Sequence, residues 1–273
     1  MHAFSFDLST NVKTDLGTLG GNFSAAYDTK YGIIVGASRI AGNARLRAFR
    51  YANGTMAPVA VDTGGDSVAR SVSNADDIVG YTCTSGSVGC RPFLLSSGAL
   101  TLLGPANRTG VATNVNDVGQ VVGSLSTGPA TSLTHAFLYS SGVMTDLGTF
   151  GGATSDARGI NQSGDVVGTA QNGAGQPRAF LWRNGRMIDL NSTLVNVSGW
   201  VLESAAAISD GGQIVGYGTF QGKRRAFLLT PPVDLELFAG GSKTQTDSNF
   251  PFDGIEVGKH DTSTPQRLAI PSG

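Results

Sequence analysis

The sequence predicts an all-β protein, a β-propeller assembled from four-stranded blades, and three observations carry that prediction. One signature recurs six times: His2-Ala3-Phe4, Arg47-Ala48-Phe49, Arg91-Pro92-Phe93, His135-Ala136-Phe137, Arg178-Ala179-Phe180 and Arg225-Ala226-Phe227, with the phenylalanines 45, 44, 44, 43 and 47 residues apart. An apolar residue closed by glycine keeps the same beat at Val35-Gly36, Val79-Gly80, Val122-Gly123, Val167-Gly168 and Val215-Gly216. The 273 residues include 39 glycines but only 14% charged residues, a composition of short strands and tight turns with few solvated helix faces. Repetition at a fixed period of this length marks a repeat array.

At the N-terminus, residues 2–6 and 12–16 read as two strands. Complete units then begin near Ser24, Ser67, Thr109, Ser155 and Glu203. The fourth unit is the most regular. Ser155-Asp156-Ala157-Arg158-Gly159-Ile160 alternates into the turn Asn161-Gln162-Ser163-Gly164, and Asp165-Val166-Val167-Gly168-Thr169-Ala170 returns. After a polar loop, Arg178-Ala179-Phe180-Leu181-Trp182 places Phe180 and Trp182 on one face by the two-residue period; Asn184-Gly185 then turns the chain into Met187-Ile188-Asp189-Leu190. Four strands in a period of this length match a propeller blade, and no window has the 3.6-residue period of a helical solenoid. A β-helix or trefoil-like array fits less well.

Residues 1–238 form the repeat region and 239–273 a tail in which the pattern fades. A six-bladed ring is preferred. Its sixth blade would take its last two strands from the N-terminal hairpin and its first two from the tail, with Gly254-Ile255-Glu256-Val257 and Arg267-Leu268-Ala269-Ile270 as candidates. Five blades with a loose tail is the alternative.

The chain is 40% hydrophobic, with mean hydropathy near zero, and is long enough to bury a large core. Its net charge is −1 and its 19 Lys and Arg are scattered, unlike the dense basic footprint that binds a phosphate backbone, so nucleic acid is not an expected partner. No apolar run approaches the roughly 18 residues needed for a membrane-spanning helix, and no signal peptide is seen in this chain. Cys83 and Cys90 flank a Gly- and Ser-rich loop between two expected strands. A hairpin there would bring them within disulfide reach, which points to an oxidising compartment, extracellular or periplasmic.

The run His135-Ala136-Phe137-Leu138-Tyr139, then Met144-Thr145-Asp146-Leu147-Gly148-Thr149-Phe150-Gly151-Gly152, and on through Ile160-Asn161-Gln162-Ser163-Gly164-Asp165-Val166-Val167-Gly168, resembles the HAF repeat of extracellular bacterial proteins. The resemblance covers residues 2–230. It weakens in unit three, at Pro92 and at Leu103-Gly104-Pro105, and in unit five, where Asn191 follows Asp189-Leu190 in place of glycine. It implies export and a repeat fold, and no particular reaction.

Recurrent polar residues have structural explanations first. Asp15, Asp146 and Asp189 precede leucine at strand ends, and Asn116, Asn161 and Asp210 occupy turns where short side chains bond their own backbone. His2, His135 and the equivalent arginines are expected to cap strand edges. No G-x-S-x-G, H-E-x-x-H, S-x-x-K or phosphate-binding glycine loop is present. Gly65-Asp66-Ser67 falls at a repeat loop position, so serine hydrolase chemistry is not expected.

If each unit starts with its innermost strand, the loops crossing between blades deliver oxygen-bearing residues to the channel mouth: Asn22, Asp66, Asn107, Asp156 and Glu203, the last being one of three glutamates. A ring of mixed carboxylates and amides suits calcium. The leading expectation is a secreted calcium-dependent hydrolase of small esters or lactones. All five residues would be metal ligands, with Glu203 and Asp156 also catalytic. The metal would polarise the carbonyl while a ring carboxylate activates water. The alternative is a non-enzymatic extracellular binding or surface-interaction module.

Overall fold

A computed structural model describes residues 1–129, 131–194 and 198–231, together with the backbone of 254–256. The described residues form one two-stranded and five four-stranded sheets, all antiparallel and, apart from β22, formed by strands close together in sequence. The N-terminal hairpin is β1 (Phe4–Asp7) and β2 (Val12–Asp15). Sheet 1 contains β3 (Gly20–Lys30), β4 (Ile33–Ile40), β5 (Leu46–Ala52) and β6 (Thr55–Pro58). Sheet 2 contains β7 (Ser67–Val72), β8 (Ile78–Thr82), β9 (Arg91–Ser96) and β10 (Ala99–Leu102). Sheet 3 contains β11 (Gly110–Val115), β12 (Val121–Ser126), β13 (Thr134–Ser140) and β14 (Val143–Gly148). Sheet 4 contains β15 (Gly151–Ile160), β16 (Val166–Asn172), β17 (Pro177–Arg183) and β18 (Arg186–Asp189). Sheet 5 contains β19 (Trp200–Ile208), β20 (Ile214–Phe220), β21 (Lys223–Thr230) and β22 (Gly254–Glu256).

One expectation is corrected. Gly254–Glu256 pairs with Thr230, Leu229 and Leu228 as the outer strand of sheet 5, not as an inner strand of a sixth sheet. In the other sheets a short turn supplies the fourth strand, but here Pro231-Pro232 follows β21 directly. Proline cannot donate to a ladder, and the open edge of β21 is filled from farther along the chain. The second candidate, residues 267–270, lies outside the described residues.

The period-two alternation of the Ala-Phe strand builds the core, because adjacent side chains point to opposite faces of a sheet. At the junction of sheets 3 and 4, Val122, Ala136 and Leu147 pack against Ala157, Val166 and Phe180. The junction of sheets 4 and 5 repeats this with Val167, Ala179 and Leu190 against Ala205, Ile214 and Phe227. The alanine thus serves the junction with the following sheet and the phenylalanine the junction with the preceding one. Phe49, Phe93, Phe137, Phe180 and Phe227 are each 3% exposed or less, so each contributes about 2–3 kcal/mol of burial.

Junctions are also tied by hydrogen bonds. The amides of Ala3, Ala48 and Ala136 donate to the hydroxyls of Ser24, Ser67 and Ser155 on the next sheet, at 2.9, 3.0 and 2.8 Å. First strands of successive sheets approach one another along β3, β7, β11, β15 and β19, so the sheets converge on their first strands. This puts the start of each unit innermost.

Candidate functional site

The five residues expected to bind calcium lie at the entries of five different sheets, and most are engaged locally. Asn22 is exposed, its amide donating to Asn43 Oδ1 (2.8 Å). Asp66 accepts from the Leu46 amide and the Ser87 hydroxyl, both at 2.8 Å. Asn107 is an exposed loop residue. Asp156 pairs with Arg158 Nε at 3.0 Å, while burial pushes its carboxyl above the usual carboxylate range against the opposing pull of that arginine. Glu203 accepts a 2.5 Å bond from the Thr219 hydroxyl. Among the described residues no group of three or more His, Cys, Asp or Glu side chains is placed to hold a metal ion. Asp66, Asp156 and Glu203 are therefore not gathered into one three-carboxylate group.

Four of the six residues that open an Ala-Phe signature pair with an aspartate, whereas Arg91 and Arg225 donate to the carbonyls of Gly104 and Arg224. His2 Nδ1 bonds Asp15 and His135 Nδ1 bonds Asp146, both at 2.9 Å; Arg47 pairs with Asp62, and Arg178 Nε lies 3.9 Å from Asp189. At Asp62 the bond from Arg47 and the Gly64 amide hold the carboxyl below its ordinary range. A pair whose cation changes freely between imidazole and guanidinium is built to join strands, since guanidinium does not act as a base near neutral pH.

The inner turns form a second chain of contacts. The amides of Asn74, Asp117 and Gln162 donate to the side chains of Asp117, Gln162 and Asp210 at 2.7, 3.0 and 2.9 Å, each reaching the next sheet. Asn116 Nδ2 likewise donates to the Asn161 carbonyl at 2.9 Å. The turn residues are therefore scaffold, and they brace neighbouring sheets as well as their own loops.

Sequence reasoning missed the bulges of the first strands. Tyr27, Arg70, Thr113, Arg158 and Ala206 each sit where the pairing register shifts by one residue. The Arg70 guanidinium lies 4.7 Å from the Tyr27 ring and 5.7 Å from that of Tyr81. A bulge leaves no mark in a two-residue hydrophobic pattern beyond one extra residue.

Also missed was a break in the apolar pattern between sheets. At four junctions an apolar side chain follows the buried Leu or Val that ends a unit and packs into the next junction core: Leu19 after Leu16, Val61 after Val59, Phe150 after Leu147, and Leu194 after Leu190. Between sheets 2 and 3 the buried residue is Leu103, but Gly104-Pro105-Ala106 follows and Ala106 is exposed. No plug enters. A cavity of about 320 Å³ lies there, with an apolar floor of Leu125, Phe137 and Met144 and a rim that includes Arg108, His135 and Asp146. A Cβ at Gly104 would stand 2.9 Å from Leu125 and 3.5 Å from Met144 Sδ, so the glycine helps keep the space open. The departure of Leu103-Gly104-Pro105 from the repeat was the sequence signal for it.

The expected disulfide is present: Cys83 and Cys90 are bonded, and no cysteine is free. Their loop folds over Asp66, whose amide donates to the Gly86 carbonyl at 2.7 Å.

No family model matches the chain, and no curated protein does. The resemblance to the HAF repeat therefore rests on its motifs alone. Among solved structures the chain is similar to TolB from Acinetobacter baumannii, with a TM-score of 0.51 and 10% sequence identity, over 83% of this chain and 56% of that one. The chain thus spans little more than half the length of that protein. At this identity the likeness concerns fold alone, and the fold is all-β of the β-propeller type.

Proposed function

We propose that the chain is a non-enzymatic binding module, with the unplugged cavity between sheets 2 and 3 as its ligand site. One observation carries this reading: four junctions fill this position with an apolar side chain, and the fifth leaves about 320 Å³ beside Arg108 and His135. That volume lies at the small end of ligand pockets, which pair apolar walls with a few polar groups in the same way. The disulfide, and the lack among the described residues of a helix able to cross a membrane, are compatible with an extracellular or periplasmic location.

On the same footing, the N-terminal hairpin is taken as the outer half of a sixth blade. Ala3 and Leu16 pack on Phe49 as other sheets pack on theirs, which supports this.

The test uses a neutral aromatic probe, 3-phenylpropan-1-ol, followed by ligand-observed NMR with the full chain. Wild type should bind it saturably, and Met144→Trp, which enlarges a side chain that lines the cavity, should abolish binding. Saturable binding that is unchanged in the variant, or absent from wild type, overturns the reading. In parallel, hydrolysis of a short-chain ester or lactone is assayed with and without chelator. Chelator-sensitive turnover would favour instead the calcium-dependent hydrolase built on Asp66, Asp156 and Glu203.

A further inference from the structure

Resting on the reading of the cavity as a ligand site, we propose that it selects a small carboxylic acid with an aromatic or branched aliphatic body. The body would lie where the missing plug belongs and the carboxylate would meet Arg108. The shape argument comes from the other junctions. The residues that fill this position elsewhere are Leu19, Val61, Phe150 and Leu194, so the space is made for an apolar group between valine and phenylalanine in size. Leu125 and Phe137, 7% and 2% exposed, form a floor that offers no polar side-chain partner.

The charge argument concerns which rim groups are already engaged. Asp146 accepts from His135 Nδ1 at 2.9 Å and from the Gly148 amide at 2.8 Å. Its side chain is 60% exposed, so solvent and salt screen its charge from a second carboxylate. Arg108 is different. Its side chain makes one bond, from Nη1 to the Ser126 carbonyl at 3.3 Å, and no carboxylate lies within 4.0 Å of it among the described residues. Arg47, Arg50, Arg158, Arg178 and Arg183 each face an aspartate, and among the arginines that do not, Arg108 is the one that lines the cavity. A guanidinium without a counter-ion at the edge of an apolar cavity matches a carboxylate, which it can bind through two parallel N–H donors.

Three probes of one skeleton separate the terms: 3-phenylpropionate, 3-phenylpropan-1-ol and 3-phenylpropylamine, titrated into the full chain by calorimetry or NMR. The acid should bind about tenfold or more tighter than the alcohol, the margin expected of a hydrogen bond to a charged group, and the amine most weakly. Arg108→Gln should bring the acid down to the affinity of the alcohol, and Met144→Trp should remove binding of all three. If acid and alcohol bind equally, or the preference survives Arg108→Gln, the carboxylate assignment falls while the cavity remains a binding site. If no probe binds, or Met144→Trp binds as wild type does, the binding-site reading itself falls.

Discussion

At the residue scale, the glycine that closes each Val-Gly pair is a packing requirement. A Cβ on Gly36, Gly80, Gly123, Gly168 or Gly216 would overlap the backbone carbonyl oxygen of Ala25, Val68, Val111, Asp156 or Ser204 on the adjoining first strand. At Gly168 it would also stand 2.8 Å from the Phe180 ring. Both neighbours are held, one by a ladder and the other by a core in which Phe180 is 0% exposed. Gly168→Ala should therefore cost about 3 kcal/mol or more, at or beyond the upper end for overpacking, in urea unfolding monitored by circular dichroism. Gly175→Ala is the control: it sits in a turn at φ 74° with nothing within 4 Å of a Cβ, so only backbone strain of about 1 kcal/mol applies. Equal losses at the two sites would mean that the repeated glycine is kept for its backbone freedom and not for close approach.

At the element scale, strand order and pairing were legible because each strand carries its own signature and the turns lie at fixed offsets from it. Unit four was expected at 155–160, 165–170, 178–182 and 187–190, and its strands run Gly151–Ile160, Val166–Asn172, Pro177–Arg183 and Arg186–Asp189. The place of Gly254–Glu256 was not legible, since a three-residue strand joined by a long connection has no local signal. The cavity was half legible: the departure at Leu103-Gly104-Pro105 was visible, but its effect depends on Leu125, Phe137 and Met144 from the next sheet. That Asp66, Asp156 and Glu203 do not form one group among the described residues has a related reason. Equivalent loop positions in a repeat point to equivalent places on separate sheets, and convergence is a three-dimensional property that periodicity does not encode.

The disulfide belongs to this scale too. Cys83 and Cys90 are seven apart in sequence, so loop closure contributes at most about 2–3 kcal/mol. Bonds from the loop to Gly65 and Asp66 hold the same segment without it. The purified oxidised chain should show no reactive thiol until it is denatured and reduced, and Cys83→Ala/Cys90→Ala should still fold, with a loss within that range. Two reactive thiols in the native chain would contradict the pairing.

At the scale of the whole molecule, stability in a repeat array is close to a sum of unit terms and nearest-neighbour interface terms. Among the described residues the first and last sheets each present a face with no neighbouring sheet packed on it. Val35, Val79, Val122 and Val167 are all 0% exposed because each faces a following sheet, whereas Val215, at the same position in sheet 5, is 43% exposed and Ala226 beside it is exposed as well. At the other end Phe4 is 53% exposed, although its five counterparts are buried. One substitution placed at two equivalent positions reads this difference. Val167→Asp inserts an unpaired carboxylate into the junction core of sheets 4 and 5 and should cost about 3 kcal/mol or more. Val215→Asp meets solvent and should stay within about 0.5 kcal/mol of wild type. Urea unfolding of the two variants at neutral pH checks both values. A large loss at Val215 would mean that the end face of sheet 5 is covered in solution, as it would be in a ring closed through both ends of the chain.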